Sequence, residues 1–191
     1  MAGVVVTVGL GILATALVAA RFQWVEEQIF EILGRWSLEL PEPEAKLLVA
    51  RHAAHHGWHA QLWSERVPNL REGSVRAPDP SGWANLLEAV QESSSRHATA
   101  LRLAGMYRVV LPRLIGQYRQ VASRTSEAAD RPVMRTIRLV TNDEHQDAQE
   151  GEILLQSLLR EADAVSDAQH RVIHLEAIAA GSFAAGDFGQ F

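Results

Sequence analysis

Apolar residues in this chain recur at three- and four-residue intervals almost from end to end, and prolines mark where the pattern stops. A chain of this kind buries its apolar residues as helices packed side by side. No segment shows the strict apolar–polar alternation of a half-buried strand. The first helix carries Trp24, Val25, Ile29, Ile32, Leu33 and Trp36 on one face. It should end near residues 37–40, because Pro41 and Pro43 push the residues before them out of helical geometry. A second helix is expected from about Glu42–Glu44 to Arg66. The connection 68–82 (PNLREGSVRAPDPSG) is rich in proline and glycine and reads as a surface loop. A third helix should run from Ser81–Trp83 to about Thr125, kinked near residues 108–112 by Pro112. Asp130 and Pro132 suit the start of a fourth helix, expected to reach about Ala164. A shorter fifth helix is expected over Asp167–Ala180. The expected fold is an all-α, antiparallel four-helix bundle with an extra short C-terminal helix.

Residues 2–20 (AGVVVTVGLGILATALVAA) carry no charge. That is the length of a membrane span, so membrane contact through this segment is one reading. A signal peptide is another, but it would need a basic region before the apolar run, and Met1 is followed by Ala2 and Gly3. Thr7, Thr15 and the glycines dilute the hydrophobicity, and the helical pattern continues past Arg21. A buried or oligomer-facing helix is therefore favoured, with a homo-oligomer as the expected assembly.

A length of 191 residues corresponds to one domain at roughly 150 residues per domain. That domain is expected over residues 1–180, with an irregular tail over 181–191. No cysteine is present, which removes thiol nucleophiles, thiolate metal sites and iron–sulfur clusters. The 18 basic residues, all arginine except Lys46, face 23 acids for a net charge of −5. This balance excludes a protein devoted to non-specific nucleic-acid binding. Phosphate-binding glycine loops, dinucleotide fingerprints and nucleophile elbows are also missing. A cytoplasmic protein is expected.

The chemistry-bearing feature is RHAAHHGWHAQLW on the second helix, where His52, His55, His56 and His59 fall within eight residues. Spacings of three, four and seven place them on adjoining positions of one face. Imidazoles spaced in this way can share a metal ion inside a bundle. Carboxylates and backbone carbonyls can also satisfy such histidines without a metal. Across the Pro41/Pro43 turn, Glu27 should lie level with His55 and His56, with Glu26 and Glu31 as near alternatives. On the fourth helix, Glu144 interrupts the apolar stripe Val133, Ile137, Val140, Ala148, Gly151 and Leu155, and Asp147 follows one turn on. An acid in such a stripe is costly unless it is paired or metal-bound. His145 is expected at the surface, and His97 in the core. Trp58, Trp63 and Trp83 fit either the core or a pocket wall beside the histidines.

Taken together, residues 20–160 resemble the ferritin-like superfamily. Its di-iron members supply a Glu from each of two helices and Glu-x-x-His from each of the other two. Glu27 stands in the position of the first-helix Glu. His56-x-x-His59 stands for the second-helix motif with His in place of Glu, and Glu144-x-x-Asp147 for the fourth-helix motif with Asp in place of His. The third helix departs from the pattern, because residues 107–114 (YRVVLPRL) hold no carboxylate. Glu88 and Glu92 lie too early in the chain to replace it. The resemblance implies a non-haem iron or manganese centre held by Glu27, His52, His56, His59, Glu144 and Asp147. Tyr107 and Arg108 are then candidate catalytic side chains, and a small organic molecule is the implied substrate. The alternative is a metal-free binding or assembly module whose buried His–Glu pairs fix helix register. Metal storage or transport fits least well, with methionine scarce and cysteine absent.

Overall fold

The computed structural model describes residues 11–67, 69–70, 73–74, 81–92, 98–126 and 130–183. His97, residues 2–10 of the apolar segment and residues 184–191 of the expected tail lie outside them.

Helix α1 (Ile12–Glu39) and helix α2 (Pro43–Ser64) form an antiparallel hairpin. Leu40, next to Pro41, adopts an extended conformation with φ −61° and ψ 138°, which ends α1. Pro43 then occupies the first turn of α2, where a missing N–H costs nothing. Along α1 the buried side is continuous from Ala16 and Val18 through Phe22, Val25, Ile29 and Leu33 to Trp36. The second half of the uncharged N-terminal segment therefore packs into the protein, although Ile12 and Leu13 remain exposed. Among the described residues, no helix is long and apolar enough to cross a membrane.

The buried stripe of α2 is unusual. It reads Ala45, Val49, His52, Ala53, His56, His59, Ala60 and Trp63, with imidazoles where the other helices place aliphatic groups. Beyond α2, strands β1 (Asn69–Leu70) and β2 (Gly73–Ser74) pair antiparallel in a small hairpin within the connection expected to be irregular.

The expected third helix is two helices. Helix α3 (Ser81–Gln91) ends before Glu92. The chain resumes as α4 (Ala98–Gly105), a π turn (Met106–Val110) and α5 (Leu111–Arg124), stacked as one element. Pro112 lacks the N–H that would bond to the carbonyl of Arg108. A wider turn absorbs the defect, with Leu111 N–H donating to Met106 O. The feature expected as a kink near residues 108–112 is thus a π turn beginning at Met106.

Helix α6 (Arg131–Leu158) starts as expected at Pro132, although the Asp130 side chain accepts from the Ser126 N–H instead of capping the helix. It ends earlier than expected. The break at Leu159–Glu161 frees α7 (Ala162–Phe183), which is longer than the short helix expected and runs past residue 180. Helix α7 packs on α3 and α4. From it, Arg171 donates to the carbonyls of Ala89 and Glu92, closing the open C-terminal end of α3. Counting α4, the π turn and α5 as one, the described helices form an antiparallel bundle of six. In it α2 faces α6, and the α4–α5 element lies against α6. The core is sealed by the fully buried Trp36, Trp63 and Trp83.

Candidate metal centre

Three helices converge on a polar cluster inside this apolar interior. Glu26 on α1, His56 and His59 on α2, and Glu144 on α6 are each 0% exposed. One ligand atom from each lies within 4.8 Å of all the others. His56 Nδ1 is 2.5 Å from Glu26 Oε2 and 3.3 Å from Glu144 Oε1. His59 Nδ1 is 3.2 Å from Glu144 Oε1 and 3.6 Å from Glu26 Oε2. Donor atoms held about 2.1 Å from a common ion in tetrahedral array stand ~3.4 Å apart. Three of these four separations fall close to that value.

The surroundings orient the cluster. Asp143 Oδ2 lies 3.2 Å from His59 Nε2 and accepts its N–H, leaving Nδ1 turned inward. Tyr118 on α5 donates its hydroxyl to Glu26 Oε1, and Trp63 Nε1 donates to Tyr118 Oη at 3.2 Å. Phe22 packs on both rings, with centroids 4.9 Å from Trp63 and 4.3 Å from Tyr118.

One turn along the bundle, His52, Asp147 and Glu150 form a second group. His52 Nε2 is 3.4 Å from Asp147 Oδ1 and 3.4 Å from Glu150 Oε2. His52 Nδ1 meets Tyr107 Oη at 2.8 Å, and His55 Nδ1 lies 3.0 Å from Asp147 Oδ2. Arg51 pairs with Glu150 at the half-exposed rim. This group leads from the buried cluster toward solvent.

Burial and mutual charge set the protonation of the inner cluster. Desolvation raises the Glu26 carboxyl, but the imidazoles of His56 and His59 outweigh it and hold the group down at about 2. Burial works against charge on His59 too, yet Glu26 and Glu144 push it up to about 11. His56 is raised for the same reason, against the same desolvation. Glu144 is raised, chiefly by burial. His52 is lowered by burial, so it stands neutral more readily than its neighbours. Burial and the nearby carboxylates hold the phenols of Tyr107 and Tyr118 well above their usual range, as neutral donors.

Whether the donor set suits a metal can be tested on its unused atoms. His56 Nε2 and Glu144 Oε2 are buried and have no hydrogen-bond partner. Buried polar atoms are nearly always paired. Two unpartnered atoms in one buried cluster of two imidazoles and two carboxylates fit a cation that displaces the cluster's protons. Nitrogen and oxygen donors of this kind suit iron, manganese and zinc.

Of the residues expected from sequence, His56, His59 and Glu144 meet in the inner cluster, and His52 and Asp147 meet in the outer one. Glu27 does not join them. It is half-buried and accepts from Gln23 Nε2 at 2.8 Å, while its neighbour Glu26 takes the interior position. Consecutive helical residues point about 100° apart, so only one of the pair can face the site. Tyr107 reaches the outer group, but Arg108 turns away and forms a two-pronged pair with Glu152 at 2.9 and 2.7 Å. Asp147, not Ala148, continues the buried stripe of α6. Trp63 and Trp83 are core residues, whereas Trp58 is 43% exposed. His145 is exposed beside Arg119, as expected.

Glu150, Tyr118 and His55 were not singled out as site residues. The first carried a signal in the repeat Glu144-x-x-Asp147-x-x-Glu150, which stays near one helical face. Tyr118, one turn beyond the stretch 107–114 in which a carboxylate is expected, supplies a polar contact to Glu26 from α5.

No known protein family, curated protein or solved structure matches this chain. The fold and the cluster therefore define its class by themselves. It is an all-α bundle with a Glu/His-rich ligand cluster that matches a degenerate ferritin-like di-iron-type site.

Proposed function

We propose that this protein is a metal-dependent oxidoreductase of ferritin-like type, acting on a small organic molecule. Glu26, His56, His59 and Glu144 would hold iron or manganese, with the His52, Asp147 and Glu150 group as its outward extension. The observation that carries this reading is the pair of bare buried atoms, His56 Nε2 and Glu144 Oε2. When bound, the metal would supply one-electron redox chemistry in a site closed to bulk water. The chain's own contribution is positional and protonic. Asp143 fixes the His59 ring. Tyr118 holds Glu26 by its hydroxyl, which keeps that carboxylate in one orientation. Tyr107, donating from a neutral phenol to His52 Nδ1 or accepting from it, fixes that ring within the outer group.

A second reading is a metal-free binding or assembly module. It is supported by the charge balance of the cluster, since Glu26 and Glu144 can pair with protonated His56 and His59. Buried ion pairs of this sort can fix helix register while adding little stability.

Metal content after expression in iron- and manganese-supplemented medium separates the two. Near-stoichiometric iron or manganese, lost in His56→Ala/His59→Ala, supports the enzyme. Binding of less than about a tenth of an equivalent after anaerobic Fe(II) reconstitution rejects it, because a four-donor site binds far more strongly than that.

A further inference from the structure

One cavity lies apart from the four residues of the metal cluster. It encloses about 710 Å³ between the last turns of α2 and the first turns of α6. Arg131, Arg135 and Arg138 line it from α6, and Arg66 lines it from the turn that follows α2. The three α6 arginines follow at four and three residues, which places them on one helical face. Glu65 is the only acid in the lining, and it is engaged by Arg66 at 3.3 Å. No described carboxylate pairs with Arg131 or Arg135. Arg66 Nε is buried without a partner. A chain of net charge −5 thus concentrates cations in one concavity. Such a concavity focuses a positive field on whatever enters it. The start of α6 adds its unpaired backbone N–H groups to that field.

The remaining walls are apolar. Leu62 and Leu139 line the cavity, and so does Trp58, a large ring left 43% exposed. Trp58 also packs near the ring of its chain neighbour His59, with ring centroids 5.7 Å apart. The cavity and the His/Glu cluster therefore share a wall. An indole beside guanidinium groups suits a ligand with a flat apolar body and an anionic head. The volume is that of a small-molecule site.

We propose that this cavity binds a small aromatic anion, a carboxylate or phosphate monoester. Its ring lies along Trp58, and its head group is held by Arg131 and Arg135. The inference rests on the cavity and not on a metal, so it stands or falls separately from the oxidoreductase reading.

Isothermal titration calorimetry of the full chain, stripped of metal and dialysed free of chelator, tests it with 2-naphthoate and phenyl phosphate as probes. The expected result is saturable one-to-one binding with Kd below about 1 mM for at least one probe. Neutral 2-naphthamide should bind at least ~10-fold more weakly, as should either anion to Arg131→Gln/Arg135→Gln or to Trp58→Leu. All three side chains are at the surface, and far-ultraviolet circular dichroism would verify that the variants keep their helices. No saturable binding of either probe up to about 10 mM overturns the proposal. So does a Kd unchanged in the arginine variant, or inorganic phosphate binding as tightly as the aromatic anions. Retention on heparin without small-anion binding would assign the arginines to a polyanion instead, and would equally overturn it.

Discussion

The ring of Tyr107 lies directly against the backbone of Gly151. A β-carbon added at Gly151 would fall inside van der Waals contact of the Tyr107 ring carbons Cγ, Cδ1 and Cδ2. The missing side chain on α6 is what lets the phenol reach His52 Nδ1. Gly151→Ala should therefore push the ring off its seat. We expect a stability loss of about 1–3 kcal/mol from overpacking, despite the better helix propensity of alanine. Urea denaturation of the metal-free protein would measure it. An unchanged midpoint would mean that α6 shifts freely, and that Tyr107 is not held by this contact.

Neighbouring acids on α1 should behave oppositely. Glu26→Ala removes a fully buried carboxylate that accepts from His56 and Tyr118, and should cost about 3–5 kcal/mol in the metal-free protein. It should also abolish metal uptake. Glu27→Ala removes a half-buried acid whose partner is Gln23, and should change stability by no more than ~1 kcal/mol with metal content intact. Equal metal loss in both variants would refute the assignment of the inward position to Glu26.

The pH dependence of the metal-free protein should have two limbs. Glu26 is depressed from 4.5 to about 2, so its stabilising contribution is present above pH 4.5 and is lost as pH falls toward 2. His59 is raised from 6.5 to about 11, so its contribution is complete below pH 6.5 and is lost as pH rises toward 11. These two groups together place the stability maximum between pH 4.5 and 6.5. Thermal unfolding across pH 3–10 would trace both limbs. A metal must displace the imidazole protons, so its affinity should rise with pH and its binding should release ~1–2 protons per ion near pH 7. Calorimetry in buffers of differing ionisation enthalpy counts them, and zero release would mean that the histidines are not ligands.

Arg108 and Tyr107 should separate cleanly even though they are adjacent in the chain. Arg108→Ala breaks a rim ion pair with Glu152, in which the two side chains are 29% and 39% exposed. It should cost at most about 1 kcal/mol and leave metal content unchanged. Tyr107→Phe removes a buried hydrogen bond to His52, for which a loss of ~1–2 kcal/mol is expected. Metal loss in the arginine variant alone would contradict the geometry of the π turn between α4 and α5.

Much of this arrangement was legible in advance where one helix supplies both signal and constraint. The α1–α2 hairpin follows from Pro41 and Pro43, whose effect on the preceding residue is local and steric. His52, His56 and His59 share a face because helical pitch alone places them there. Glu144 stood out as an acid inside an apolar stripe. The choice between Glu26 and Glu27 was not decided in this way. One residue rotates a side chain by about 100°, and small errors in helix phase exceed the difference between inward and sideways. Phe22, Val25 and Ile29 carried the missing information, because Glu26 lies on the face they define. The same ambiguity affected Asp147 and Ala148 on α6. The division between α6 and α7 was hidden because helical pattern continues on both sides of the break.

Local periodicity is thus written in the residue order: helices, their proline-marked ends, and a histidine face on α2. These depend on interactions within a few residues along the chain. The packing of distant segments decided that Glu26 from α1 and Glu144 from α6 meet His56 and His59, and that Tyr118 from α5 reaches Glu26. It also decided that Arg131 and Arg135 border a cavity whose wall is shared with His59 through Trp58. Those relationships depend on how far each helix is rotated and shifted against its neighbours. Close packing of side chains from distant segments sets that rotation, down to one ring on one glycine.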